Sequence, residues 1–386
     1  MIEKNVLLES AKAAFDWVEK NQLKKNNDAN CGRFVYARRV ADNFTDLSTN
    51  WTTGFGSMAM LSAYKITNEK RYLDSALKGV DYLKSLQIMD ATVPRLCGAI
   101  REVMPQTNWL HPRDALSAAW TFLAVGKELK DETLILRASL FADWMIEHAF
   151  MGDWPICTVA LSEGGTATDD LLGSFHSGGI LFFLDMYKET GEIKYYSTAH
   201  RMAEFYINNF IDEDGEITVL FDSIGNNPDV HNEKKWPLDW QMMHKVNDDF
   251  GGIALVEAYK VFKNEEYLKR CSAYFKKLCE YENGDGSYLQ PEVETGSATA
   301  SIFLQKYLTI AHDDEKPAIQ KLLDRSLEHL LKLQLKRSDE QLNGAIYGMD
   351  DSCKYGNREW VNLRITAYAI FAMLEESDAS IFPIKF

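Results

Sequence analysis

Apolar residues recur at helical spacing along this chain in two alternating kinds of segment. The first kind opens on a cap-like or acidic residue and then shows one apolar stripe. Asn68-Glu69-Lys70-Arg71-Tyr72-Leu73, followed by Ala76, Val80 and Leu83, sets the pattern. It returns from Asp131 (Leu134, Ala138, Ala142, Met145), Gly191 (Tyr195, Ala199, Met202, Tyr206) and Asn264 (Tyr267, Cys271, Tyr274, Leu278). A looser copy runs from Asp313 with Leu322, Ser326 and Leu330. Charges fill the opposite face, so each reads as an amphipathic helix with one buried stripe. The second kind precedes each of these, at 54–64, 115–126, 178–187, 251–262 and 297–310, with a last member at 361–374. These segments are rich in Gly, Ala and Ser and apolar all round, as helices buried on both faces are.

The alternation predicts an all-α fold. About six inner helices are wrapped by about six outer ones, an (α/α)6 barrel formed as a single domain over residues 1–386. Intervals of roughly 50–70 residues suit long helical hairpins better than short solenoid units. The amphipathic stretch at 4–23 is placed to pack against the last helix and close the ring. Strand patterns are sparse, with one short strand expected within 216–221.

Composition narrows the partners. A formal charge of −15 with only scattered basic pairs repels nucleic acid and anionic lipid. The amino terminus lacks a secretory pattern, and the apolar runs fall short of the ~20 residues a membrane span needs. Neither nucleic acid nor membrane is expected as a partner, and a cytoplasmic location is. The six cysteines show no CxxC pair and read as buried free thiols. The acidic clusters at 212–216 and 350–351 lack the ligand spacing of a calcium loop, so no metal or cofactor is expected. The oligomeric state is left open.

In such a ring the loops leading into the inner helices open at one end, and here they are rich in aromatic and ionisable residues. Candidate catalytic groups are Asp114, Asp170, Asp248, Asp249 and His176. Candidate binding groups are Trp51, Trp109, His111, Glu292, Glu294, Arg358 and Trp360. Indole and phenol rings pack against the C–H faces of a sugar while carboxylates and guanidinium groups take its hydroxyls, which points to an oligosaccharide ligand. Glycosidic chemistry needs one carboxyl held protonated and a second group to stabilise charge or activate water.

Asn50-Trp51-Thr52-Thr53-Gly54-Phe55, continuing through Leu61-Ser62-Ala63-Tyr64, resembles the Trp-Thr-x-Gly-Phe segment of unsaturated glucuronyl hydrolases. Gly296-Ser297-Ala298-Thr299-Ala300 is similar to their Ser-Ala-Ser-Ala helix start. The unsaturated rhamnogalacturonyl hydrolases share the same six-hairpin barrel. The resemblance implies hydration of a 4,5-unsaturated uronic acid at the end of an oligosaccharide: an Asp protonates the vinyl ether, guides water, and the hemiketal collapses. It places Asp114, in the loop His111-Pro112-Arg113-Asp114, as the supporting carboxylate. The principal Asp falls by pattern on Phe175, and Asn247-Asp248-Asp249-Phe250-Gly251 replaces Trp-x-Arg-Gly-x-x-Trp. Two other readings stay open. One is a lyase or sugar epimerase with His176, His111 or His244 as base. The other is a non-catalytic toroid that binds a glycan or peptide.

Overall fold

The computed structural model describes residues 2–156, 158–161, 166–167, 171–172, 174–218, 220–221, 245–246, 250–290, 292–293, 295–348 and 358–374. Twelve α-helices dominate them. The inner helices are α2 (Asn50–Thr67), α4 (Pro112–Leu129), α6 (Ser174–Thr190), α8 (Gly251–Phe262), α10 (Gly296–Tyr307) and α12 (Leu363–Leu374). The outer helices are α1 (Lys4–Lys20), α3 (Lys70–Leu86), α5 (Glu132–His148), α7 (Ile193–Asn209), α9 (Glu265–Tyr281) and α11 (Lys316–Leu333). Each inner helix packs on the next, and α12 returns to α2, so the inner ring closes. Helices α3, α5, α7, α9 and α11 back the inner helix before them, and α1 backs α12. The fold is an (α/α)6 barrel.

The repeat seen in the sequence is the turn that reverses each hairpin. Inner helices end on a left-handed residue, Asn68 (φ 57°), Lys130 (φ 56°), Gly191 (φ 72°) or Lys263 (φ 57°). An extended residue follows and caps the outer helix: Glu69, Asp131, Glu192 or Asn264. Asp131 and Asn264 accept amide hydrogen bonds with their side chains, satisfying donors that a helix start leaves open. Burial separates the two rings as the pattern requires. Helix α2 is buried at every position from Asn50 to Ala63, whereas α3 buries only one stripe containing Tyr72, Ala76, Val80 and Leu83.

Successive outer helices are tied sideways by two recurring devices. In the first, the tyrosine of the repeat buries its ring and donates its hydroxyl to a carboxylate of the previous outer helix. Tyr72 reaches Asp16 (2.7 Å), Tyr195 reaches Asp143 (3.0 Å) and Tyr267 reaches Glu204. In the second, the chain leaving an outer helix forms a short antiparallel bridge closed by a glycine. The bridges are Gln22 with Phe34, Gln87 with Ile100, Ile211 with Ile217, Glu282 with Tyr288 and Gln334 with Ile346.

The bridge glutamines donate both to their own glycine's carbonyl and to a carbonyl of the next outer helix. Gln22 bonds Gly32 and Ser75, Gln87 bonds Gly98 and Arg137, and Gln334 bonds Gly344 and Ser10. Glu282 inverts the polarity, accepting from the Gly286 amide and from Arg325. The glycines have φ between 84° and 97° and lie against the neighbouring helix backbone. A Cβ on Gly32, Gly98, Gly286 or Gly344 would stand 2.1–2.2 Å from a carbonyl oxygen of that helix, so no other residue fits.

Ten short strands, β1 (Ala37–Arg39), β2 (Thr45–Asp46), β3 (Trp109–Leu110), β4 (Phe150–Met151), β5 (Trp154–Pro155), β6 (Val159–Ala160), β7 (Thr166–Ala167), β8 (Leu171–Leu172), β9 (Leu220–Phe221) and β10 (Trp360–Asn362), lie in the loops. The sequence pointed to one strand within 216–221; there the ladder covers only Leu220–Phe221. Two- and three-residue ladders are too short to carry an alternating pattern. Strand β1 pairs antiparallel with β10, Ala37 opposite Asn362, so the first and last loops meet over the closed ring. The expectation of buried thiols holds at Cys271 alone among the four described cysteines. Cys31 and Cys97 precede the bridge glycines in partly exposed turns, and Cys279 is exposed. No helix among the described residues is long and apolar enough to cross a membrane.

Gly284 and Gly286 separate the two demands on a bridge glycine. Both have φ near +90° (92° and 91°), yet a Cβ on Gly284 meets open space and one on Gly286 meets the Arg325 carbonyl at 2.1 Å. Gly284→Ala is expected to cost about 1–2 kcal/mol, the left-handed penalty alone. Gly286→Ala should cost at least about 2 kcal/mol more, because packed backbone must move. Urea unfolding of both variants checks this, and equal losses would show that the lateral contact carries no weight.

Candidate functional site

The bore of the barrel is blocked below its mouth. Phe250, one residue ahead of α8, stacks on Phe55 of the opposite inner helix at 6.2 Å between centroids. Tyr368 from α12 closes on both rings at 6.1 and 5.6 Å, and Trp120 from α4 meets Phe250 edge-on at 6.2 Å. Phe250 holds φ 113°, a strained value for a non-glycine residue. Trp51 extends this floor, stacked on Phe55 at 4.5 Å with the Arg364 guanidinium 6.0 Å from its ring centre.

A compact polar group sits where α2 and α4 begin. His111 caps α4, Pro112 takes its first turn and Asp114 follows, a position where the helix dipole favours a carboxylate. Asp114 accepts from Arg113 Nη1 (3.1 Å) on Oδ1 and from the Thr49 hydroxyl (3.1 Å) on Oδ2. Its side chain keeps 14% of its surface exposed. Behind it lies Glu102, only 2% exposed, whose Oε2 accepts the His111 amide at 3.0 Å. The Glu102 backbone is fixed from both sides, its carbonyl by the Asn50 amide (2.8 Å) and its amide by the Trp109 carbonyl (3.2 Å).

Burial, and next the negative charge of Asp114 and a hydrogen bond to it, push the Glu102 carboxyl well above the ordinary carboxylate range. Burial also pushes Asp114 up, but Arg113, the hydrogen bond from Glu102, His111 and Thr49 together outweigh it and hold Asp114 low. His111 is lowered, by burial first, with Arg113 adding to it and Asp114 opposing. Glu102, His111 and Asp114 bring one donor atom each within 4.8 Å of one another, a spacing a divalent cation could bridge. Arg113 pairs with Asp114 there at 3.1 Å and offsets its charge.

The structure thus brings Asp114, His111 and the neighbouring Trp109 together, with Trp51 one residue beyond Asn50. Trp109 is 44% exposed on β3. Other candidates face elsewhere. His176 lies between α6 and α7, 1% exposed, stacked on Phe205 at 4.9 Å and beside Phe210 and Phe150, with Nε2 3.2 Å from the Asp153 carbonyl. Burial, with a smaller push from Arg201, lowers its pKa to about 3, so it is a neutral wall residue. Glu292 bonds His329 of the outer helix α11 at 2.6 Å. Trp360 is buried in β10 against Phe44 and Arg39, and Arg358 is exposed just ahead of it. Asp170, Asp248, Asp249, Glu294 and His244 lie outside the described residues. Sequence reasoning missed Glu102 and Thr49. The available signal was an acid inside the apolar run Ala99-Ile100-Arg101-Glu102-Val103-Met104.

No family model matches the chain, and no curated protein does. Solved structures do. A D-mannose isomerase superposes with a TM-score of 0.72 at 12% identity, over 97% of both chains. An unsaturated glucuronyl hydrolase from Streptococcus agalactiae gives 0.71 at 15%, over 97% of this chain and 93% of that one. A sugar epimerase from a ruminal bacterium gives 0.73 at 10%, over 98% and 99%. The fold is a six-hairpin (α/α)6 barrel shared with these three structures. At these identities the likeness speaks to the fold, and the chemistry rests on the residues.

The His176 pocket has a pH signature of its own. Its folded pKa lies below the unfolded value of about 6.5, so between those values the unfolded chain binds more protons and stability falls as the solution is acidified. Between pH 7 and pH 5 this one group should remove about 2 kcal/mol. Denaturant titrations of wild type and His176→Phe at both pH values check it: the variant should lose less on acidification by about that amount.

Proposed function

We propose that this protein is a carbohydrate enzyme that transfers a proton to a sugar at the barrel mouth through Asp114. Acid-assisted hydration of an unsaturated uronyl oligosaccharide is the reaction that fits best. The observation that carries this reading is Asp114, its side chain 14% exposed, flanked by a guanidinium and within 4.8 Å of a second carboxyl. Two carboxyls this close act as one acid–base unit. Glu102, enclosed behind Asp114, does not face a glycosidic bond as the second carboxyl of a glycosidase does. In this reading the Arg113 guanidinium beside Asp114 attracts a uronate carboxylate, and the exposed Trp109 offers a ring face to a sugar. The likeness of the His111–Asp114 loop to that of unsaturated glucuronyl hydrolases supports the same choice.

A second reading, sugar isomerase or epimerase, is favoured by Phe175. It stands in the sequence where those hydrolases carry their principal Asp. Full-length superposition on a mannose isomerase and a sugar epimerase is compatible with it.

Incubation with an unsaturated uronyl disaccharide and, separately, with mannose distinguishes the two. Loss of the ultraviolet absorbance of the conjugated double bond marks hydration, and ketose formation marks isomerisation. Asp114→Asn should lower kcat/KM by about 10²–10⁴-fold with the melting temperature kept near wild type. An Asn variant that retains full activity would remove Asp114 from the chemistry.

A further inference from the structure

The pair formed by Glu102 and Asp114 is the least conventional arrangement in the described molecule. Two carboxyl groups approach within 4.8 Å of one another inside the protein, and Glu102 is almost wholly enclosed. The donors supplied around them are distributed unevenly. Asp114 receives one on each oxygen, from Arg113 and Thr49. Glu102 receives the His111 amide on Oε2, and the Thr49 hydroxyl it shares with Asp114 also favours its charge, while Oε1 is buried and accepts no hydrogen bond. An ionised Glu102 would leave a charged oxygen desolvated and undonated beside a second anion, which is costly on every count. A protonated Glu102 turns the same contact into a donor–acceptor pair and leaves one negative charge for Arg113 to balance.

We propose that Glu102 is a positioning residue that stores one proton behind Asp114, so that the two carboxyls hold a single proton and a single charge between them. The catalytic consequence rests on the hydration reading given above. In it, the proton passes from Glu102 to Asp114 across their hydrogen bond and from Asp114 to the vinyl-ether carbon, whose π electrons form the new C–H bond. Water then bonds to the adjacent cationic carbon and gives up a proton, which returns to Asp114 and over the same bridge to Glu102. One water is added across the double bond and the pair is restored. The groups facing this proton are Asp114, Arg113 and His111 from α4 and its cap, and Thr49 from the residue ahead of α2.

Carboxyl ¹³C NMR of the Glu-labelled wild-type protein tests the stored proton without any substrate. One glutamate resonance, absent in Glu102→Gln, should remain protonated at pH 7, and in Asp114→Asn it should titrate at least about one pH unit lower. Glu102→Gln should melt near the wild-type temperature at pH 7, since a neutral amide replaces a neutral acid. A Glu102 resonance already ionised at pH 6 would overturn the proposal. So would a melting temperature that rises with added zinc and is lost with Glu102. If the stored proton is found and no sugar is turned over, the functional reading alone fails. If a sugar is hydrated, Glu102→Gln should lower kcat by about 10²-fold with KM little changed, and unchanged kcat would remove the relay.

Discussion

Every outer helix in this barrel has to be held to its neighbour, because an amphipathic helix backed by one inner helix leaves its flanks in water. The contact that does this is a backbone carbonyl lying so close to a glycine that no side chain fits between them. At four of the five joints a glutamine, or Glu282 with Arg325, bonds across; at the fifth, beside Ile211, Gly215 lies bare against Ala273. The joint also determines where the next loop departs. Phe34, Ile100, Ile217, Tyr288 and Ile346 each sit in the bridge, and the loop that leads into the following inner helix starts immediately afterwards. Glu102 stands two residues beyond Ile100. The position of a buried acid at the mouth is therefore set by Gln87, Gly98 and a carbonyl of α5. From α5 to α7 the joint is built differently: Ile156 bonds back to Ala149, and Gly152 turns into open space.

The polar group at the mouth depends on what surrounds it. Near it lie aromatic rings from three inner helices and from Phe250, with the exposed Trp109 on the other side. In such surroundings charges are weakly screened, so the balance between Arg113 and the two carboxyls governs the local field more than the net acidity of the protein does. Away from the mouth, exposed carboxylates such as Asp81, Glu266 and Asp313 pair with lysines three residues along.

The rings of helices were legible because four hairpins repeat one local event, a left-handed residue, an extended cap and a stripe beginning at a tyrosine or leucine. Local events leave local signatures. The glycine joints were not legible, because the partner of each glycine lies on another helix and the bridge length varies between Gln22–Gly32 and Glu282–Gly286. Asp114 and His111 could be found because the cap, the proline and the acid are consecutive. Glu102 left only the signal of an acid among apolar residues, since its role comes from a partner on the far side of a folded loop. His176 and Glu292 show the converse limit. Both adjoin the start of an inner helix, but adjacency in sequence does not say which wall a side chain faces, and their partners are Phe205 and His329 of the outer ring.

The stacked rings of Phe55 and Phe250 meet across the axis from opposite sides of the barrel, and Tyr368 and Trp120 fill the remaining quadrants. This makes the barrel a cup and not a tube. Among the described residues, the axis at that level is occupied by rings drawn from four separate stretches of the chain.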